Sequence, residues 1–105
     1  NEIMNMQNLL KQAQKMQKEI SQAENELHTR TYEATLNGGL VKATVSGNMT
    51  VADIDISDTL LKKENKEVLQ DMLITALNDA FDKAVTDKEE TMKALTGGIK
   101  MPGGF

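Results

Sequence analysis

Cysteine and tryptophan are absent, proline and histidine occur once each, and the only aromatic residues are Tyr32, Phe81 and Phe105. Without cysteine there is no disulfide, no thiolate zinc site, no iron–sulfur cluster and no cysteine nucleophile. Such a composition fits a reducing cytoplasm. No apolar run approaches the ~20 residues of a membrane span, and no signal-peptide core opens the chain, so no membrane partner is expected. A length of 105 residues gives room for one domain, taken here as 1–105. The residues Asn1 to Ile3 carry no weight in this reading.

Signals for catalysis are equally sparse. The single histidine, His28, falls near the end of a helical stretch and reads as an exposed helix-end residue. No serine sits in a Gly-x-Ser-x-Gly context, and neither a Gly-x-Gly-x-x-Gly nor a P-loop pattern occurs. Asp53 and Asp55 share one strand face, but without further ligands they read as solvated carboxylates. No catalytic residue, metal, cofactor or small-molecule substrate is therefore expected, and the chain is read as a non-enzyme.

What is present is strongly patterned. From Met6 to Leu27 there is no glycine or proline, and good helix formers dominate. Apolar residues fall at Met6, Leu9, Ala13, Met16, Ile20, Ala23 and Leu27, a 3-4 heptad seam held for three repeats. The first helix is predicted over 4–28. The seam stretch alone is ~33 Å long, which calls for a partner helix. At ~100° per residue, Lys11, Lys15 and Lys18 cluster in a sector of ~60° almost opposite the seam. Gln7, Gln12, Gln14 and Gln17 lie nearby. Lysine and glutamine suit phosphate contact without reading bases.

Residues 30–56 change to period two. Tyr32, Ala34 and Leu36 alternate with polar residues, as do Val41, Ala43 and Val45. Asn37-Gly38-Gly39 tolerates positive φ and predicts a tight hairpin. Gly47-Asn48 marks a second turn, and a third strand runs through Ile54 and Ile56. Val51 has the wrong parity for Ile54, which predicts a bulge or late strand start near Ala52. A second long helix is predicted over 66–96, with Asn65 as N-cap and Gly97 or Gly98 as C-cap. Its stripe is Leu69, Met72, Leu73, Ala76, Leu77, Ala80 and Ala84, while Asp71, Asp82 and Glu89 make its outer face acidic. Met16 and Met72 are expected in the core, and Met6 and Met92 at a contact surface. The residues 97–105 form a glycine- and proline-containing tail, expected to be flexible. The order is α-β-β-β-α, a two-layer α+β fold with a three-stranded antiparallel sheet.

Five segments in this order resemble the YbaB/EbfC family of nucleoid-associated proteins. They are MNMQNLLKQAQKMQK from Met4 to Lys18, GLVKATVSG from Gly39 to Gly47, and Ile54-Asp55-Ile56 followed by Leu60-Leu61. LQDMLITALNDA from Leu69 to Ala80 and GIKMPG from Gly98 to Gly103 complete the set. The resemblance spans about Met4 to Phe105. It departs at Ser57-Asp58, where the family commonly has aspartate–proline. It implies an intertwined homodimer, double-stranded DNA bound with little sequence demand, and a bacterial cytoplasmic, nucleoid-linked role. It also implies that the long helices project like tweezers, with Lys11, Lys15 and Lys18 in the DNA-associated segment. Lys93 and Lys100, near the tail, are further candidates. The alternative is a protein-interaction module that uses the seam or the helix tips and is linked to DNA replication or repair.

The formal net charge of -4 is unevenly placed. Ile3 to Ala23 holds three lysines against one glutamate, and Thr91 to Phe105 holds two lysines and no acid. Glu24 to Glu90 holds seven basic residues against fourteen acidic ones. Any nucleic acid is thus confined to the first helix and the tail, with binding that salt readily weakens.

Overall fold

The computed structural model describes residues 2–97, with the side chains of Glu2 and Met4 excepted. The elements are α1 (Glu2–Thr29), β1 (Thr31–Leu36), β2 (Val41–Ser46), β3 (Val51–Ile56) and α2 (Lys66–Thr96). Two short 3-10 turns, Asp58–Leu60 and Lys63–Asn65, lead into α2. The strands form one antiparallel sheet in the order β1-β2-β3, so the α+β arrangement expected from the sequence is present.

The sheet register explains which residues enter the core. Ala34 pairs with Ala43, and Tyr32 with Val45, so period two sends all four to one face. That face meets α2 through Ala76, Ala80 and Ala84, all buried. Three alanines at four-residue spacing bring the helix backbone close to the sheet, where Val41, Ala43 and Val45 are fully buried. The hydrophobic gain is roughly 2 kcal/mol for each buried valine.

Of the two ways to restore parity near Ala52, a bulge and a late strand start, the strand takes the bulge. Thr44 pairs with Asp53 and Val45 with Val51, which leaves Ala52 as the extra residue of β3. Val51, Ile54 and Ile56 thereby point to the same side as Val45, Ala43 and Val41. The helix α2 packs mainly on β1 and β2, however, and reaches β3 chiefly at Ile56. Val51 and Ile54 are consequently 47% and 40% exposed although they face the core side.

The turns divide their tasks differently from the expectation. Asn37, Gly38 and Gly39 all take positive φ, as the hairpin requires. In the second turn the left-handed residue is Met49, at φ 67, rather than Gly47 or Asn48. Gly47 instead serves a close approach. Its N–H donates to the Arg30 carbonyl at 2.9 Å, and a Cβ at this position would lie 1.7 Å from the Leu27 carbonyl oxygen. This contact locks the β2–β3 turn against the end of α1.

Asn65 precedes α2 but does not cap it through its side chain. Its amide donates to the Thr59 carbonyl at 3.3 Å, because Asn65 ends the Lys63–Asn65 3-10 turn, which points it back along the connection. Gly97 takes the left-handed conformation and donates its N–H to the Lys93 carbonyl, closing the helix as expected. Beyond Gly97, the tail lies outside the described residues.

The second half of α2 leaves the sheet and packs antiparallel to α1. Ile20 and Leu27 of α1 enclose Met92, with Met16, Ala23 and Leu95 around them. The buried row Ala76, Ala80, Ala84, Met92 and Thr96 advances by multiples of four. Such a row winds around the helix, which suits a face covered first by the sheet and then by α1. Met92, expected at a contact surface, is 1% exposed and belongs to this core. The molecule is correspondingly long, with principal extents of 75 × 20 × 19 Å.

Candidate nucleic-acid interface

The heptad seam has two fates. Its inner half, Met16, Ile20, Ala23 and Leu27, packs on α2 of the same chain. Its outer half, Met6, Leu9 and Ala13, is exposed, because α2 ends at Thr96, level with the inner half. About 14 residues of α1, or ~20 Å of helix, therefore project beyond the two-helix contact.

The lysines lie on the side away from the seam. Lys11, Lys15 and Lys18 are exposed, as are Gln7, Gln12, Gln14 and Gln17. Among the described residues none of the three lysines is in an ion pair, so their charge is free for an external anion. From Lys11 to Lys18 the helix rises ~10 Å. Phosphates recur every ~3.4 Å along the axis of one DNA strand, so the three ammonium groups span about three phosphate steps.

Lys93 is exposed in the last turn of α2. Lys100 lies outside the described residues. The acidic groups Asp71, Asp82 and Glu89 are exposed along α2, and Asp53 and Asp55 are exposed on the polar face of β3. From Ile3 to Lys18, α1 holds no carboxylate, in contrast to the body.

A polar clamp that sequence reading did not single out holds the base of this projection. Arg30, just after α1, reaches Asp87 on α2 at 2.9 Å. The Tyr32 hydroxyl donates to the same carboxylate oxygen at 2.5 Å, and the Thr91 hydroxyl donates to the other at 3.4 Å. The Tyr32 hydrogen bond, and then that from Arg30, hold the Asp87 carboxyl below the usual carboxylate range. Burial, reinforced by Asp87, pushes the Tyr32 hydroxyl up. Lys83 adds a second tie from α2 to β1, donating to the Glu33 carbonyl at 2.6 Å. These partners stand 50 or more residues apart, so no local sequence signal could reveal them.

His28 is exposed and lines a shallow groove with Met49, Val85, Lys88 and Met92. Among the described residues no group of three or more acidic or imidazole side chains is placed to hold a metal ion. No helix among them is long and apolar enough to cross a membrane. The arrangement can present a row of cations along a projecting rod.

Known proteins are similar to this chain in sequence and in shape. A nucleoid-associated protein of Clostridium acetobutylicum is 41% identical over 99 residues, covering 94% of this chain and 88% of that protein. One from Rickettsia akari is 37% identical over 103 residues, covering 98% and 96%. The crystal structure of an uncharacterized protein from Helicobacter pylori, HP0035, superposes with a TM-score of 0.73 at 28% identity, covering 84% and 92%. The model of the YbaB/EbfC DNA-binding family, which is not a family of enzymes, matches residues 2–99. That span takes in the lysine-bearing projection, the sheet and both helices, and the chain belongs to the YbaB/EbfC DNA-binding family.

Proposed function

We propose that this protein is a nucleoid-associated homodimer that binds duplex DNA with low sequence specificity, through phosphate contacts from Lys11, Lys15 and Lys18. The observation that carries the reading is the row of three exposed, unpaired lysines on α1, Lys11 and Lys15 on the projecting segment and Lys18 at its base, beside an otherwise acidic body. Lys93, in the last turn of α2, and Lys100, which follows in sequence, are weaker candidates. Neither helix has an arginine, so bidentate reading of guanine edges has no donor there. The names of the relatives, nucleoid-associated proteins, support a nucleoid location in a bacterial cytoplasm.

Dimerisation is supported by β3. Val51 and Ile54 face the core side of the sheet with no helix over them, and β3 is an edge strand. A second copy would cover this face and double the number of lysines on one particle. A salt-series titration with duplex DNA tests the reading. Replacement of the three lysines by alanine should weaken binding equally for unrelated sequences.

A second reading has one observation in its favour. Met6, Leu9 and Leu10 expose most of their surface on the projecting segment, as a contact for a protein of DNA replication or repair would. Absence of DNA binding at low salt, with a protein partner retained through these residues, would favour it.

A further inference from the structure

The tip of the β1–β2 hairpin carries a chemically reactive pair, Asn37-Gly38, that takes no part in DNA binding as read above. Both residues are exposed and both take positive φ, 48 and 68. Asparagine is a thermolabile residue. Its side-chain amide is open to attack by the backbone nitrogen of the next residue, which closes a five-membered imide. Glycine in that next position leaves the approach uncrowded, because it has no Cβ. Whether a fold permits the attack depends on whether this nitrogen is engaged and whether its peptide is free to turn.

At Gly38 the nitrogen is unengaged. Among the described residues its N–H has no hydrogen-bond partner, whereas Gly39 and Leu40, further along the loop, both donate to the Leu36 carbonyl at 3.1 Å. A Cβ built on Gly38 would meet nothing within 4 Å, so the peptide has open space to turn in. Asparagines elsewhere are placed differently. The Met49 N–H after Asn48 donates to the Ser46 carbonyl at 2.9 Å, and the Lys66 N–H after Asn65 donates to the Lys63 carbonyl. Asn8, Asn25 and Asn78 lie within α1 and α2, where the following N–H is bonded along the helix.

We propose that Asn37 is a site of spontaneous modification, at which the Gly38 nitrogen displaces the side-chain amide as ammonia and water opens the resulting ring. The Gly38 N–H gives its proton to solvent base, and the nitrogen bonds to Asn37 Cγ. The Cγ–Nδ2 bond breaks, and ammonia leaves with a proton from solvent. Water entering at Cγ gives aspartate. Water entering at the main-chain carbonyl carbon of residue 37 gives isoaspartate, in which the chain runs through the former side chain. Water is the only co-reactant.

The two products act differently on the hairpin. Aspartate accepts the same left-handed turn as asparagine and only adds a negative charge to the acidic body. Isoaspartate adds one carbon to the main chain directly after Leu36, which pairs with the fully buried Val41. Leu36 itself packs against the cluster of Val41, Ala43, Leu60 and Ala76. The longer chain pulls at this last pair of the ladder and loosens that end of the sheet.

Peptide mapping by mass spectrometry of the folded protein, kept at mildly alkaline pH, tests the site. Asn37 should convert at least tenfold faster than Asn48 or Asn78, with isoaspartate confirmed by methyl transfer from S-adenosylmethionine with an isoaspartyl methyltransferase. Conversion at Asn37 in the folded chain should stay within tenfold of its rate in urea. Stronger protection by the fold, or equal conversion of Asn48 or Asn78, overturns the proposal. Gly38→Ala places a Cβ beside the attacking nitrogen and should slow conversion at least fivefold. An unchanged rate in that variant, with its fold verified by circular dichroism, overturns attack by the Gly38 nitrogen. The isoaspartate form, separated by chromatography, should unfold at lower urea than Asn37→Asp, which should match the wild type. Equal midpoints for the two products overturn the effect on the ladder.

Discussion

Asp87 and Tyr32 lie 55 residues apart in sequence, yet the tyrosine hydroxyl donates a 2.5 Å hydrogen bond to the aspartate. Together with Arg30 this bond ties α2 to the start of β1, where the chain leaves α1. The direction of the projecting helix is set at this junction.

Asp87→Asn should therefore destabilise the fold. Loss of the charge-assisted bond from half-buried Tyr32 costs about 1–2 kcal/mol in urea unfolding. The exposed Arg30 contact adds little. The pH dependence has a definite sign. The Asp87 carboxyl is held below its ordinary value, so its contribution is full at neutral pH and is lost as pH falls below about 4. Urea midpoints for wild type and Asp87→Asn should converge on the acid side.

Gly47 and Gly38 should respond differently to alanine. At Gly47 a Cβ would meet the Leu27 carbonyl, a backbone atom, at 1.7 Å. Gly47→Ala must part the β2–β3 turn from α1, at a cost on the order of 3 kcal/mol. At Gly38 nothing lies within 4 Å, and only the positive φ resists. Gly38→Ala should cost about 1 kcal/mol. Thermal unfolding of the two variants side by side distinguishes close approach from backbone conformation.

These cases show what the sequence made legible. The parity break at Val51 pointed to a bulge or a late strand start near Ala52, because alternation is a local rule, and the ladder takes the bulge. Gly97 was legible as the helix stop, and the lysine sector as an outward face. Periodicity defined the seam on α1 without showing what covers it. Only the three-dimensional arrangement reveals that α2 takes the inner half and stops short of Leu9. Met92 shares that explanation, since its burial depends on Ile20 and Leu27 more than 60 residues away. The side chain of Asn65 turned elsewhere because Asn65 is the last residue of a 3-10 turn, which helix patterning does not reveal.

The uncovered face of β3 predicts the behaviour of Ile54→Lys. Ile54 is already 40% exposed within the chain, so the long, amphipathic lysine should leave the fold intact. A charge on that face would oppose a second copy. Light scattering should show a dimer for the wild type and a monomer for Ile54→Lys at the same concentration. A dimer in both would remove β3 as the contact.

The central claim is that α1 holds DNA by its phosphates, and the salt dependence of affinity tests it most directly. Anisotropy titrations of two unrelated duplexes should give the same steep fall of affinity with salt. In Lys11→Ala/Lys15→Ala/Lys18→Ala the log–log slope should be shallower by roughly 2–3 per contacting chain, with weaker binding to both duplexes. An unchanged affinity and slope in this variant would contradict the account.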